Sequence, residues 1–280
     1  MKSGFRSVIL SMLSLVLSGC GAASFAVANL PVHFSAVKIE RDVAYGPEEW
    51  QKLDIYSPAA DIDEETPVIV FFYGGRWTVG HKEQYSFVGH RLAQSGYKVV
   101  IPDYAKYPDV KFPTFVEDGA RAVSWTSENM EGNLFVSGHS SGAHIGALIT
   151  VDPGYLAAYN KDRSIISAFA GMAGPYDFIP EQDDLKDIFG PPERYKLMQV
   201  PNFVDGRQPP LFLLQGKDDT TVIQRNLNRL RDRVEKTGGV VETKLYPGID
   251  HVKIIGTFSW VWHDKAPVSA DIIDFFERHK

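Results

Sequence analysis

The run Gly138-His139-Ser140-Ser141-Gly142 places a serine hydroxyl between glycines, where it could act as a nucleophile. A serine is weak in that role until a base takes its proton. It also needs N–H donors for the negative charge that develops on the attacked oxygen. The flanks suit both demands. Leu134-Phe135-Val136-Ser137 reads as a short buried strand ending at Gly138, and the small, apolar stretch from Ser141 to Thr150 reads as a buried helix. A strand, a tight turn and a helix in that order expose the serine at the turn, where there is no room for side chains beside it. The helix N-terminus then favours a negative tetrahedral intermediate.

Three further groups of residues could complete such a site. Tyr73-Gly74-Gly75-Arg76-Trp77 follows the apolar run Val68 to Tyr73, and bare glycines let backbone N–H groups approach a substrate oxygen. Donors would come from Gly74 and Gly75, with the Ser141 N–H completing the set. Gly216-Lys217-Asp218-Asp219-Thr220-Thr221-Val222 follows another apolar strand and offers two carboxylates, Asp218 and Asp219. Either could orient a base; the other would cap the loop or the next helix. His251 sits in the loop Tyr246-Pro247-Gly248-Ile249-Asp250-His251 after the last strand-like segment. Among the other histidines, His139 lies inside the turn and cannot reach around it, and His144 is expected to pack or bond locally on the following helix. His33, His81 and His90 precede the serine, and His263 and His279 come late.

These groups need a scaffold, and the chain supplies an alternation of strand-like and helix-like segments. Lys52–Tyr56, Val68–Tyr73, Lys98–Ile101, Leu134–Ser137, Ile165–Ala170, Leu211–Gln215 and Val241–Tyr246 read as strands. Ser86–Gln94, Thr114–Trp125, Ser141–Thr150, Val222–Lys236 and Val268–Phe276 read as helices. Ile223, Leu227, Leu230 and Val234 trace one helix face. The alternation predicts an α/β fold, with a mostly parallel central sheet covered by helices on both faces. Residues 176–209 are irregular and rich in Pro and Asp, and read as a small cap insertion. No repeat or low-complexity stretch interrupts the pattern.

Composition bounds the class. The 280 residues are 44% hydrophobic and 23% charged, which is globular and ample for one α/β core. The formal net charge of −6 comes with no basic run, so duplex nucleic acid is excluded as a partner. The single cysteine, Cys20, rules out a disulfide within the chain and a cysteine metal cluster. No metal or organic cofactor is expected.

Cys20 matters for its position. Lys2 and Arg6, then the apolar stretch Val8 to Leu17, resemble an export signal. Leu17-Ser18-Gly19-Cys20 is similar to the bacterial lipobox, in which the cysteine is lipidated and becomes the mature N-terminus. The alternative is a plain secretory peptide cut after Ala26-Val27-Ala28. The resemblance implies a signal over residues 1–20, a tether over 21–36 and a domain over 37–280, exported and lipid-anchored in the cell envelope. Losing Lys2 and Arg6 takes the net charge from −6 to −8.

Together these motifs resemble the α/β-hydrolase superfamily, nearest its bacterial carboxylesterases and kynurenine-formamidase-like esterases. The resemblance covers about residues 38–280. Tyr45 to Pro58 is similar to their N-terminal strand pair. His139-Ser140-Ser141-Gly142-Ala143-His144 is similar to their nucleophile turn, and Gly174-Pro175-Tyr176-Asp177 to a segment whose aspartate is structural. Tyr73-Gly74-Gly75-Arg76-Trp77 resembles their H-G-G-x-W oxyanion loop, with Tyr73 standing where the histidine usually is. The family order of serine, acid, histidine and the pattern H-G-x-x-D-x-x-V select Asp219 and His251. The resemblance implies hydrolysis of small carboxylic esters by a Ser140–His251–Asp219 triad through an acyl-enzyme. An arylformamidase-type amide hydrolase would use the same triad, and a surface binding protein on a decayed hydrolase fold is the non-catalytic alternative. Oligomeric state is not legible.

Overall fold

The computed structural model describes residues 23–59 and 62–280. Cys20 and the export signal lie outside the described residues.

Among the described residues, eight strands form one sheet. They are β1 (Lys38–Ala44), β2 (Lys52–Ser57), β3 (Val68–Phe72), β4 (Lys98–Pro102), β5 (Leu134–His139), β6 (Ile166–Met172), β7 (Leu211–Gly216) and β8 (Val241–Tyr246). Their spatial order is β1-β2-β4-β3-β5-β6-β7-β8. β1 and β2 pair antiparallel, as do β2 and β4, and every later pairing is parallel. The central strands β3, β5 and β7 are buried along their whole length, which explains their unbroken apolar runs. β1 lies at the sheet edge, carries the consecutive charged residues Glu40, Arg41 and Asp42 between half-buried Ile39 and Val43, and pairs through a register shift between Glu40 and Val43. Its polar composition hid it from the hydrophobic pattern.

Five helices fall on the segments read as helical: α1 (Ser86–Ala93), α2 (Thr114–Asn129), α3 (Ser141–Val151), and two near the C-terminus, Arg225–Lys236 and Val268–Glu277. Every residue of α3 is buried, so it has no polar face to betray a period. Arg225–Lys236 starts three residues later than the pattern suggests, because Thr221 and Val222 give their N–H groups to the Asp219 carboxylate in a preceding turn.

Two segments differ from their reading in sequence. Residues 23–36 are a docked element and not a free tether. Residues 23–29 are helical and Leu30–Phe34 is a 3-10 turn. The Asn29 side chain donates to the Gln84 carbonyl at 3.0 Å and accepts from the Phe87 N–H at 2.7 Å. Trp260 donates its indole N–H to the Val27 carbonyl at 2.8 Å. Residues 176–209 are also more ordered than their Pro and Asp content suggests. They carry a helix at Asp183–Phe189 and 3-10 turns at Pro192–Leu197 and Val200–Phe203. Ile188, Phe189, Met198, Val200 and Val204 anchor them in the core. Among the described residues no helix is long and apolar enough to cross a membrane.

Candidate active site

The parallel strands end together on one edge of the sheet. Phe72 of β3 pairs with Gly138 of β5, His139 of β5 with Met172 of β6, and Gly216 of β7 with Tyr246 of β8. Gly74 lies two residues past β3, Ser140 one past β5, Asp219 three past β7 and His251 five past β8. The carboxyl ends of a parallel sheet are where open α/β folds assemble sites.

Ser140 has φ 54° and ψ −123°, a conformation that L-residues rarely adopt and that costs about 1–3 kcal/mol. The turn is held by its surroundings. The Ser140 N–H donates to the Met172 carbonyl at 2.9 Å, and the His144 N–H donates to the Ser140 carbonyl at 3.1 Å. A Cβ at Gly142 would lie 2.1 Å from the Phe72 carbonyl oxygen. Glycine at 142 therefore lets α3 press against β3, and that approach fixes the turn.

The three predicted triad residues meet. His251 Nδ1 lies 2.8 Å from Asp219 Oδ2, and His251 Nε2 lies 2.9 Å from Ser140 Oγ. The carboxylate can only accept, so Nδ1 carries the proton and Nε2 presents a lone pair to the serine hydroxyl. The Asp219 carboxylate is fully buried, whereas the His251 side chain keeps 14% exposure. Burial alone would push the Asp219 carboxyl up. Hydrogen bonds from His251 and from the Val222 and Thr221 N–H groups outweigh it and hold the carboxyl below its ordinary range. Asp219 thus does the capping that sequence offered to Asp218. Asp218 is exposed, and its backbone N–H donates to the Ile249 carbonyl at 3.0 Å, tying the acid loop to the histidine loop. His251 is the first residue of a short helix, His251–Gly256, rather than a loop residue, and Asp250 caps it.

The glycine loop lies against the serine turn. A Cβ on Gly74 would come 3.1 Å from the Ser140 Cβ. Gly75 has φ +151°, and a Cβ there would meet the Val79 carbonyl oxygen at 1.9 Å, so glycine is required. Ser141 is the first residue of α3 and is buried. Tyr73 is engaged by Asp103 and by two other tyrosines. Its hydroxyl donates to Asp103 Oδ1 at 2.5 Å, and its ring stacks between Tyr85 and Tyr104. Tyr104 donates to the Tyr73 carbonyl at 2.8 Å and Tyr85 to the Gly74 carbonyl at 3.1 Å. Tyr73, Tyr85 and Tyr104 together therefore hold the loop in place. Tyr85, Tyr104 and Asp103 carried no local motif, and only the fold brings them to the loop.

Trp77 continues the loop into an aromatic cluster. Its ring stacks on Phe178 at 5.8 Å and meets Phe189 edge-on at 4.8 Å. Of the two expectations for His144, packing holds, edge-on against Trp77 and Phe189, and local bonding does not. Its Nε2–H donates to the Met198 carbonyl at 2.7 Å, linking α3 to the 176–209 segment. Arg76 pairs with Asp184 at 2.8 Å, joining the glycine loop to the same segment. Asp177 is structural as expected: it pairs with Arg229 at 2.6 Å, and its N–H donates to the Asn226 side chain. Among the described residues, one group could offer three metal ligands, His81, Glu83 and Asp103. It lies apart from the triad, and Asp103 is already engaged by Tyr73 and the Lys82 N–H.

Known proteins resemble this chain in sequence and in fold. The chain is 25% identical over 251 residues to an isoprenylcysteine alpha-carbonyl methylesterase of Arabidopsis thaliana, a match covering 79% of this chain and 58% of that protein. It is 30% identical over 141 residues to a kynurenine formamidase of Danio rerio, covering 50% of this chain and 47% of the relative. The chain thus spans little more than half the length of the curated relatives it matches. The crystal structure of esterase B from Lactobacillus rhamnosis superposes with a TM-score of 0.79 at 18% identity, covering 99% of this chain and 96% of that one. At that identity the superposition establishes a shared fold. The BD-FAE family model matches residues 53–234, a span that holds the glycine loop, the serine turn and Asp219. With that match over most of the chain, the protein belongs to the BD-FAE family of α/β-hydrolases.

Proposed function

We propose that the protein is a carboxylic ester hydrolase in which Ser140, His251 and Asp219 form the catalytic triad. The observation that carries this reading is the continuous contact from Ser140 Oγ to His251 Nε2 and from His251 Nδ1 to Asp219 Oδ2. His251 takes the Ser140 proton as Oγ attacks the ester carbonyl carbon. Backbone N–H groups of Gly74, Gly75 and Ser141 hold the oxyanion. The proton passes to the leaving alkoxide, leaving an acyl-enzyme and a free alcohol. Water, deprotonated by His251, attacks the acyl carbon, and the returned proton restores Ser140. Asp219 fixes the tautomer and stabilises the imidazolium.

The named activities of the relatives support the class: a methylesterase, and an esterase LipQ of Mycobacterium tuberculosis at 26% identity over 207 residues. A fluorophosphonate probe is expected to label the wild type and not Ser140→Ala. A folded wild type that stays unlabelled rejects the reading. The formamidase relative favours a second reading, an arylformamidase-type amide hydrolase. Rates on p-nitrophenyl acetate, butyrate and a long-chain ester, set against N-formylkynurenine, decide between them; turnover of the amide alone favours the second.

We also propose export and lipidation at Cys20, with residues 176–209 acting as the cap over the acyl site. The basic, apolar and small-residue order before Cys20 supports the anchor. Cys20→Ala is expected to move the protein from the membrane to the soluble fraction. Unchanged fractionation favours the plain secretory peptide.

A further inference from the structure

The partner of Ser140 Oγ is His251 and not the adjacent His139. His139 is nonetheless buried, and three parts of the site meet at it. It precedes Ser140 in the chain. Its Nδ1 lies against the glycine loop, 2.9 Å from where a Gly74 Cβ would stand. Its Nε2 is 2.9 Å from the backbone carbonyl oxygen of His251. A carbonyl only accepts, so the Nε2 proton is on His139 and is donated to His251.

We infer that His139 is a positioning residue, holding the main chain of His251 so that its imidazole stays on line with Ser140. The inference rests on the triad reading. The main chain of the histidine turn is tied to its neighbours along its length, first by the Lys217 N–H at the Tyr246 carbonyl. The Asp218 N–H holds the Ile249 carbonyl, and the His139 Nε2–H holds the His251 carbonyl. Val252, next to His251, is 61% exposed, whereas Ile249 before it is buried. Asp219 fixes the far end of the imidazole, but the ring can still swing if its Cα moves. Displacement of a reacting group by about 1 Å can cost on the order of 100-fold in rate.

Burial and the neighbouring His251 hold the His139 ring far below its ordinary range, at about 3. The ring therefore stays neutral whenever His251 is able to act as a base, and it adds no positive charge against the imidazolium that forms 5.0 Å away, ring centre to ring centre. Gly74 supplies the space for the ring, which explains in part why no side chain is found there.

The test compares two polar variants of full-length protein. Gln carries an N–H at the reach of Nε2, whereas Asn is too short to meet the His251 carbonyl. His139→Asn is expected to lower both kcat and the fluorophosphonate labelling rate of Ser140 by about 10–100-fold with KM nearly unchanged. His139→Gln is expected to recover most of that loss. Rates are expressed per folded molecule, from thermal melts and labelled-site counts. If Asn and Gln behave alike, or if both match wild type in kcat while only the melting temperature falls, His139 is a packing residue and the inference fails. A folded wild type that is not labelled overturns the hydrolase reading, and this inference with it.

Discussion

At the residue scale, Asp219 does two jobs with two oxygens. Oδ2 accepts a hydrogen bond from His251 Nδ1–H, and Oδ1 accepts from the N–H groups of Thr221 and Val222, each at 2.9 Å. An asparagine can keep the second job and fail in the first. Its carbonyl oxygen can still accept from the loop, but an amide facing Nδ1 favours the wrong imidazole tautomer. Asp219→Asn is therefore expected to lower kcat by about 10³–10⁴-fold while shifting the melting temperature little. Asp218→Asn, on an exposed side chain that touches neither partner, is expected to stay within about 2-fold. Steady-state kinetics on the two proteins, with melts alongside, check both statements. The acid could be read from sequence because Gly216 and Val222 bracket it at fixed spacing. The tyrosine cage could not. Tyr85 and Tyr104 reach the glycine loop from separate elements, and nothing in their neighbours marks a hydroxyl aimed at a distant carbonyl.

At the element scale, the site depends on how closely α3 lies on β3. Gly142 has no Cβ to separate them, and a methyl there would stand 2.1 Å from the Phe72 carbonyl and 2.4 Å from that of Tyr73. Both belong to backbone that also carries the glycine loop, so the clash cannot be relieved by a side-chain turn. Gly142→Ala is expected to destabilise the fold by about 2–3 kcal/mol, and to lower activity in whatever folds, because the same shift moves Gly74 against Ser140. Urea unfolding and per-site kinetics would read the two effects separately. The strands that set this geometry were legible because burial on both faces leaves a continuous apolar run, as in Val68–Phe72 and Leu211–Gln215. β1 was not, since an edge strand with one wet face carries Lys, Glu, Arg and Asp. The short helices of 176–209 and His251–Gly256 were missed for another reason: they are too short to show a period, and long-range contacts such as Met198 to His144 hold them.

At the scale of the whole molecule, the fold is closed by buried histidines that cannot be charged in place. His139 and His144 are buried, and burial holds them at about 3 and about 4, well below the value near 6.5 of a solvated imidazole. Each donates its Nε2 proton to a carbonyl that bridges elements, His251 in one case and Met198 in the other. The sign follows from proton counting. Between about pH 4 and 6.5 the unfolded chain binds protons that the folded chain refuses, so stability rises with pH across that window. The contribution is complete above about 6.5 and is lost as the solution is acidified. Each histidine changes stability by about 1.4 kcal/mol per pH unit at most, so the pair removes about 2 kcal/mol between pH 6 and 5. Asp103, pushed up by burial, works in the opposite sense just above the ordinary carboxylate range. Asp205, held at about 2 by the backbone N–H of Arg207 and its pairs with Arg163 and Arg207 despite the opposing effect of burial, adds a loss only at more acid pH. Urea midpoints at pH 7.5, 6 and 5 are therefore expected to fall steadily, ahead of any carboxylate titration. His144→Gln removes one titrating group and keeps a donor for the Met198 carbonyl, so it is expected to lower the slope between pH 6 and 5 by about 1 kcal/mol per pH unit, His139 and the also lowered His90 and His279 supplying the rest. A slope unchanged in that variant would place the acid sensitivity elsewhere in the molecule.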